Sequence, residues 1–213
     1  DFGGVLSAGH DPVPDIHALL GGDAGAVGEA LWTERGDYDA GRTSPAEYWG
    51  AVARAAGVEE LSAAEIDELQ DADNRYFLRL EPDSRALLHD LARNDVRMAL
   101  LSNASAAFGE AVRKADWFEA FTLAVISAEE RTVKPEREIY EVLLDVLAHE
   151  TGGVRLPSAV IFFDDRAENV EAARALGIDA HLWPRNGDPH PEGTEPGVSI
   201  ARRVLAERGV PTD

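Results

Sequence analysis

The stretch from Ser158 to Ile178 constrains the fold of this chain more than any other. Residues 159–163 are a continuous apolar run of strand length, which is typical of a strand buried on both faces of a parallel sheet. Apolar side chains at helical spacing follow and lead to Gly177, a residue suited to end a helix. Asp164 and Asp165 lie between the two patterns. This order predicts an open α/β sheet with a ligand site at the carboxyl edge of its strands.

The two adjacent acids have two interpretations. Asp165 could cap the following helix, because an aspartate accepts hydrogen bonds from the free N–H groups of a first helical turn. That interpretation leaves Asp164 unexplained. Paired carboxylates at the end of a buried strand also suit a hard cation such as Mg²⁺, which prefers oxygen ligands.

The second part of the chain alternates between strand and helix patterns. Four short apolar runs are separated by segments of helical pattern, and they lie at residues 96–101, 121–126, 159–163 and 180–183. Such alternation predicts right-handed βαβ units in a Rossmann-like, doubly wound parallel sheet. The chain opens at Asp1 without a methionine, so we expect residues upstream, including the apolar part of a strand that ends at Asp1.

Residues 13–81 have helical patterns and no clear strand. Ser44 and Ser62 each begin a capping box, with glutamate three positions later. Apolar and aromatic residues in this segment, including Trp32 and Phe77, are expected to form the core of a small helical bundle, although one or two could line a substrate mouth. We therefore predict an α/β core of residues 1–12 and 82–213 with a helical cap inserted at residues 13–81.

Composition excludes several classes of protein. There are 40 acidic and 20 basic residues, so the formal net charge is −20, whereas nucleic-acid-binding proteins need a basic face. The chain has no cysteine, which excludes thiol catalysis, disulfides and thiolate metal sites. No apolar run approaches the roughly 18 residues of a membrane span, and no signal peptide is visible. We expect a cytoplasmic protein with neither nucleic-acid nor membrane partners.

Further polar residues should reach the same edge of the sheet. Asp1 would end the first strand, Ser102 and Asn103 follow the strand at 96–101, and Lys134 is expected to open a helix after the next strand. Ser102 and Asn103 could simply cap a helix, but a helix start is also an anion site. The chain has 18 arginines and only two lysines, so a lysine where a cation is mildly unfavourable indicates a functional charge.

Four motifs together resemble the haloacid dehalogenase (HAD) superfamily. They are DFGGVL, LLSNAS, VKPEREIY and IFFDDRAENVEAARALGI, in the order that this family has them. The cap-sized insert makes the chain most similar to sugar-phosphate phosphatases and to the N-terminal phosphatase domains of epoxide hydrolases. The resemblance covers nearly the whole chain and implies a HAD-like α/β core with a helical cap.

The resemblance implies a Mg²⁺-dependent phosphatase that acts on small phosphorylated metabolites. Asp1 would be the nucleophile that forms an aspartyl-phosphate. Lys134 would neutralise charge between Asp1 and the phosphate, while Ser102 and the backbone N–H of Asn103 would hold phosphoryl oxygens. Catalysis would rest on positioning and charge neutralisation, as in other phosphoryl transfers.

The metal ligands follow from the same resemblance, and so does one departure. Asp1, the backbone carbonyl of Gly3 and Asp165 would bind Mg²⁺, with Asp164 as a ligand or a water-mediated partner. Gly3 stands where related phosphatases usually carry a second aspartate, the general acid/base. The proton for the leaving group would then come from elsewhere, and His10 is one candidate.

Two alternatives remain open from the sequence. A catalytically impaired relative would bind a phosphometabolite or a protein partner without turnover, and Gly3 favours this hypothesis. A 2-haloacid dehalogenase would use the same aspartate to displace halide from carbon. That reaction needs no metal, so the Asp164–Asp165 pair argues against it.

Overall fold

The structure is a computed structural model, and it describes residues 1–7, 11–150 and 152–212. Two short 3₁₀ helices, Asp116–Ala120 and Pro157–Ala159, accompany the α-helices and strands of these ranges. The helices are α1 (Val13–Leu20), α2 (Ala24–Asp39), α3 (Pro45–Ala55), α4 (Ala63–Phe77), α5 (Pro82–Arg93), α6 (Ala106–Val112), α7 (Ser127–Glu130), α8 (Arg137–Glu150), α9 (Ala167–Ala175) and α10 (Gly197–Glu207). The strands are β1 (Ala99–Ser102), β2 (Leu123–Ile126), β3 (Ile161–Asp164) and β4 (Asp179–Leu182).

The predicted α/β class, with parallel strands joined through helices, is confirmed. β1 pairs with β2 and β3 pairs with β4, both in parallel, so that Ser102 lies opposite Ile126 and Asp164 opposite Leu182. Within the described residues the strands form two pairs, and an apolar groove of about 620 Å³ lies between them. Asp1 lines this groove, and its backbone nitrogen donates a hydrogen bond to the Phe163 carbonyl at 2.8 Å.

Helices α1 to α4 pack around an apolar cluster of their own. Each predicted capping box is present, with the Ser44 and Ser62 hydroxyls accepting from the backbone N–H three residues later. The buried side chains of this cluster are Ile16, Val27, Leu31, Tyr38, Tyr48, Trp49, Val52, Leu69 and Ala72. A cluster confined to these helices supports the division into a cap of residues 13–81 and a core of residues 1–12 and 82–213, which remains a proposal.

Close backbone contacts join these helices to the α/β part. The Ser127 hydroxyl at the start of α7 donates to the Asp39 carbonyl at the end of α2, at 2.5 Å. Gly41 has a φ of +66°, and a Cβ added there would stand 2.4 Å from the Ala128 carbonyl oxygen. A residue with a side chain therefore cannot replace Gly41 without moving the two parts.

Trp32 does not belong to the cap core in which we expected it. Its side chain is 49% exposed, whereas Leu31 beside it is fully buried. The buried face of α2 carries Val27, Leu31 and Tyr38, which are spaced by four and seven residues. Trp32 is one position off that face and points away from the cluster.

Three expected helix starts differ from those observed. Ser105, rather than Ser102 or Asn103, caps α6 through its hydroxyl. Arg166 is the residue before α9, so Asp165 does not cap this helix. Lys134 does not open α8, which begins three residues later, because the Asn103 side chain binds both backbone polar groups of Lys134.

None of the helices in the described part of the chain combines the length and the apolar character that a membrane span requires.

Candidate active site

Four of the predicted site residues converge at the carboxyl ends of the strands. Carboxylate oxygens of Asp1, Asp164 and Asp165 lie within 4.8 Å of one another. The Lys134 ammonium lies between two of them, 2.7 Å from Asp1 Oδ1 and 2.6 Å from Asp164 Oδ2. The structure therefore brings together side chains that are up to 164 positions apart in the sequence.

Hydrogen bonds fix Lys134 at its side-chain ammonium and at its backbone. Its side chain is 1% exposed, and Nζ donates a third hydrogen bond to the Leu101 carbonyl at 3.2 Å. The Asn103 side chain donates to the Lys134 carbonyl at 2.9 Å and accepts from the Lys134 backbone N–H at 2.8 Å. Asn103 thus uses its side chain to position the lysine, whereas the resemblance implied only a role for its backbone N–H.

The lysine and its acidic partner stabilise each other's charged forms. Burial lowers the pKa of Lys134, and the Asp164 carboxylate opposes that decrease. Burial raises the pKa of Asp164, but the Lys134 ammonium, the Asp1 amino group and the Arg166 backbone N–H together lower it below its usual value. Removing Lys134 would leave the buried Asp164 carboxylate without its cation.

Asp164 is fully buried and its two oxygens have several protein donors. Oδ1 accepts from the Arg166 backbone N–H at 2.9 Å and from Asn169 Nδ2 at 2.8 Å, while Oδ2 accepts from Lys134. A carboxylate with this many donors is better suited to orient Lys134 than to contact a metal directly. Asn169 was not among the predicted residues, and its position in the first turn of α9 is the signal that could have identified it.

Asp165 has a different partner, Arg185, which no pattern in the sequence indicates. Arg185 Nη1 lies 2.5 Å from Asp165 Oδ2. The Asp165 side chain is 3% exposed and that of Arg185 is 48% exposed. Burial raises the pKa of Asp165, and the Arg185 guanidinium opposes that increase. Arg185 follows β4 in a loop rich in proline and glycine, where no periodic pattern indicates which side chains point inward.

The glycines after Asp1 let the backbone approach these acids. Gly4 has a φ of +73°, and a Cβ there would stand 2.5 Å from Asp165 Oδ2. A Cβ at Gly3 would meet no atom within 4 Å. Asn186 fixes this turn, because its backbone N–H donates to the Gly4 carbonyl at 2.7 Å and its side chain donates to the Val5 carbonyl at 2.6 Å.

The remaining predicted residues lie as follows. Ser102 ends β1 and is 3% exposed, next to Asn103 and beside the lysine. Their roles toward a phosphate remain predictions. His10, the candidate proton donor, lies outside the described residues.

A cavity of about 280 Å³ adjoins the two glycines. Its wall on the α/β side includes Gly3, Gly4 and Arg185. Its wall on the helical side is aromatic and consists of Trp32 on α2 and Tyr76 and Phe77 on α4. Since Arg185 also contacts Asp165, this cavity opens beside the cluster of acids.

The donor set fits a hard divalent cation. Asp1 and Asp165 each offer carboxylate oxygen close to the other and to the turn at Gly3. Oxygen ligands without nitrogen or sulfur are the set that Mg²⁺ prefers. Asp164 is the least suited of the three acids, because Lys134, Arg166 and Asn169 already donate to it.

Comparison with known sequences identifies a family. The model of the haloacid dehalogenase-like hydrolases matches residues 1–177. A phosphatase of Mycobacterium tuberculosis (strain CDC 1551 / Oshkosh), Phosphatase MT3486, is 28% identical over 130 residues, which are 60% of this chain and 57% of that protein. The chain thus matches little more than half the length of this relative.

Solved structures share the fold at low sequence identity. A HAD-like hydrolase from Porphyromonas gingivalis has a TM-score of 0.66 at 21% identity, with 96% of this chain and 95% of that chain covered. The HAD family enzyme BT-2542 of Bacteroides thetaiotaomicron, in a magnesium complex, has 0.62 at 22%, covering 88% and 92%. L-2-haloacid dehalogenase of Xanthobacter autotrophicus has 0.64 at 20%, covering 97% and 80%.

Proposed function

The chain belongs to the haloacid dehalogenase-like hydrolases, and we propose that within this family it is a Mg²⁺-dependent phosphatase of small phosphorylated metabolites. The observation that carries this proposal is the buried ammonium of Lys134 between Asp1 and Asp164, with Asp165 alongside. A phosphoryl group carries negative charge to an acidic nucleophile, so a fixed cation beside that nucleophile reduces the repulsion between them. The similarity to a mycobacterial phosphatase supports the same conclusion.

Asp1 is the proposed nucleophile. Lys134 binds Oδ1 of Asp1 and so orients the carboxylate and shields its charge from an approaching phosphate. Attack by an Asp1 oxygen on phosphorus would form an aspartyl-phosphate and release the alcohol oxygen of the substrate. Ser102 and the Asn103 backbone N–H would hold phosphoryl oxygens at the end of β1, next to Lys134.

Asp165, Asp1 and the Gly3 carbonyl would hold the metal ion. Mg²⁺ would supply charge neutralisation on the phosphoryl oxygens. Asp164, whose oxygens accept from Lys134, Arg166 and Asn169, would act through the lysine or through a water molecule.

Gly3 sets the remaining chemistry of the site. It offers no carboxyl group to protonate the leaving oxygen or to activate water. Positioned acids typically contribute about 10²–10⁴-fold to such steps. The proposed enzyme would therefore depend strongly on how readily the leaving group departs as an anion.

The two alternatives are separable from this proposal. A 2-haloacid dehalogenase needs no metal, so the acid pair at Asp164 and Asp165 argues against it, and the similarity to L-2-haloacid dehalogenase is one of fold alone. An impaired relative that only binds its ligand is favoured by Gly3. The same assay distinguishes all three.

The test is release of phosphate from a panel of phosphate monoesters with Mg²⁺ and with a chelator, together with release of chloride from 2-chloropropionate. We expect Mg²⁺-dependent phosphate release, its loss in Asp1→Asn, and no chloride. Asp145→Asn is the matched control, because Asp145 is an exposed acid that pairs with Arg155 on the surface. Binding of phosphate esters without turnover would favour the impaired relative, and chloride release would favour the dehalogenase.

A further inference from the structure

The cavity beside Gly3 has an aromatic wall that the proposed chemistry does not use. Trp32, Tyr76 and Phe77 form this wall on α2 and α4. The guanidinium of Arg35 lies over the Phe77 ring, 4.9 Å from its centre. Aromatic side chains gathered on one wall of a small cavity are suited to hold a planar ring.

Trp32 distinguishes this wall from the aromatic core of the helical segment. It is the only tryptophan among the exposed large apolar side chains in the described part of the chain, at 49% exposure. The aromatic residues Tyr38, Tyr48 and Trp49 of the same helical segment are buried in its core. Trp32 therefore contributes little to the packing of these helices and faces the turn that carries Gly3 and Gly4.

The size of the cavity limits the group it can accept. Cavities for drug-sized ligands range from about 300 to 1,000 Å³. This cavity, at about 280 Å³, lies just below that range. It has room for a single ring.

The charges around the cavity disfavour a second anionic group on the ligand. Arg185 is the basic residue of the wall, and Asp165 and Asp188 lie 2.5 and 3.9 Å from its guanidinium. Asp11 adds a further carboxylate to the wall. Even when Mg²⁺ takes Asp165 away from Arg185, Asp188 and Asp11 remain beside the guanidinium. A leaving group with its own carboxylate or phosphate would therefore meet two carboxylates and one guanidinium.

The absence of an acidic side chain at Gly3 also favours an aromatic leaving group. A phenolic oxygen has a pKa near 10, as in tyrosine, so it can leave as an anion. An alkoxide is far more basic, close to the value of about 15.7 for water, and needs a proton as it leaves. A site without the usual acid and with a ring-sized aromatic cavity beside that position is suited to phenol esters.

We propose that the substrates of this protein are aryl phosphate monoesters with one uncharged ring, which lies against Trp32, Tyr76 and Phe77. This inference rests on the proposed phosphatase function and names its substrate class. It is carried by the cavity wall and by the open space at Gly3 together, since either alone would fit several ligands.

The reaction balances without an acid at position 3. An Asp1 oxygen forms a bond to phosphorus as the bond from phosphorus to the aryl oxygen breaks, and the phenolate leaves with the electron pair. Water then attacks the aspartyl-phosphate, which restores the Asp1 carboxylate and releases phosphate and a proton. The phenolate takes up a proton from solvent, so the products are a phenol and phosphate.

Four substrates separate ring recognition from leaving-group ability. Phenyl phosphate has both a ring and a good leaving group, benzyl phosphate has the ring alone, acetyl phosphate has the leaving group alone, and propyl phosphate has neither. We expect the highest kcat/KM for phenyl phosphate. In Trp32→Ala we expect kcat/KM to fall about tenfold for phenyl phosphate, as loss of an aromatic contact predicts, and to stay unchanged for acetyl phosphate.

Two further variants control the measurement. Trp32→Phe keeps a ring and should retain most of the activity on phenyl phosphate. Leu19→Ala removes another exposed apolar side chain of the same helical segment, one that does not line the cavity, and should change nothing.

The outcomes separate the two proposals. Turnover of acetyl phosphate, with phenyl phosphate no better than propyl phosphate, would overturn the aryl inference and leave the phosphatase proposal standing. An unchanged ratio of phenyl to acetyl phosphate turnover in Trp32→Ala would overturn the assignment of the cavity. Failure to hydrolyse any of the four esters, with Mg²⁺-dependent turnover of other phosphate monoesters of the panel, would overturn the aryl inference alone. Failure on the whole panel would overturn the phosphatase proposal and the inference that rests on it.

Discussion

Replacing Arg185 by glutamine should make the protein bind Mg²⁺ more tightly. Arg185 Nη1 is 2.5 Å from Oδ2 of Asp165, one of the proposed metal ligands. A guanidinium at this position competes for the carboxylate and repels a divalent cation. Both effects disappear in Arg185→Gln, so they act in the same direction.

The exposure of the two partners sets the size of the effect. An ion pair between exposed side chains contributes about 0.2–1 kcal/mol, and breaking a fully buried pair costs about 3–5 kcal/mol. Here the Asp165 side chain is 3% exposed and that of Arg185 is 48% exposed, so the pair lies between these limits. We expect a competition of about 1–2 kcal/mol, which corresponds to about a 5–30-fold decrease in the Kd for Mg²⁺.

The assay is direct titration of Mg²⁺ by calorimetry, without substrate. Arg203→Gln is a matched control that changes the net charge of the chain by the same amount. Arg203 is 51% exposed and pairs with Glu195. An equal gain in the control would mean that only overall charge matters. An unchanged or weaker Mg²⁺ affinity in Arg185→Gln would refute the reasoning, since it would mean that the arginine and the ion do not compete.

Three further substitutions test single residues of the site and of the fold. In Lys134→Arg, turnover should fall at least about 100-fold, because a planar guanidinium cannot take the place of a buried ammonium between two carboxylates; near-normal phosphate release would contradict the assignment. Gly3→Asp should raise kcat/KM for alkyl phosphates by up to about 100-fold and that for phenyl phosphate much less, since an added acid helps only poor leaving groups; equal gains on both would contradict this. Gly41→Ala should lower the free energy of unfolding by about 2–4 kcal/mol, because a side chain there meets the Ala128 carbonyl. Gly57 also has a positive φ but has open space around it, so Gly57→Ala should cost about 1 kcal/mol. Equal losses of stability in chemical denaturation would contradict a role for the Ala128 contact.

The residues of the acidic cluster could be predicted from the sequence because they follow elements with clear patterns. Asp164 and Asp165 follow a buried apolar strand and precede a helix, and parallel strands bring their carboxyl ends to one edge. Lys134 was identified by the scarcity of lysine rather than by a pattern. Its expected helix start was wrong, yet the residue reaches the site, because the Asn103 side chain holds its backbone where the helix was expected.

Arg185 and Asn186 could not be predicted in the same way. They lie in a loop between β4 and α10, where proline and glycine interrupt every periodicity. Asn186 contacts Val5 across 181 positions of the sequence, and such a contact is set by tertiary packing alone. Local sequence patterns predict helices and strands, whereas the residues that fix the turn after Asp1 lie in a loop that has no such pattern.

The exposed position of Trp32 illustrates a different limit. A tryptophan in a helical segment is most often buried, and Leu31 beside it is. The helix that carries both has one face against its own bundle and another toward the turn at Gly3, and both faces accept apolar residues. The sequence therefore shows two apolar neighbours, but only the packed structure shows which one the bundle buries.

The balance of charge at the strand ends indicates why this site should depend on a metal. Three carboxylates, Asp1, Asp164 and Asp165, face one ammonium from Lys134 and one guanidinium from Arg185, which leaves one net negative charge. The whole chain, including these residues, has a formal charge of −20. A phosphate monoester is itself an anion, so the residues alone would repel it. A bound divalent cation would reverse the sign to one net positive charge, which is the condition under which an acidic nucleophile and an anionic substrate can approach each other.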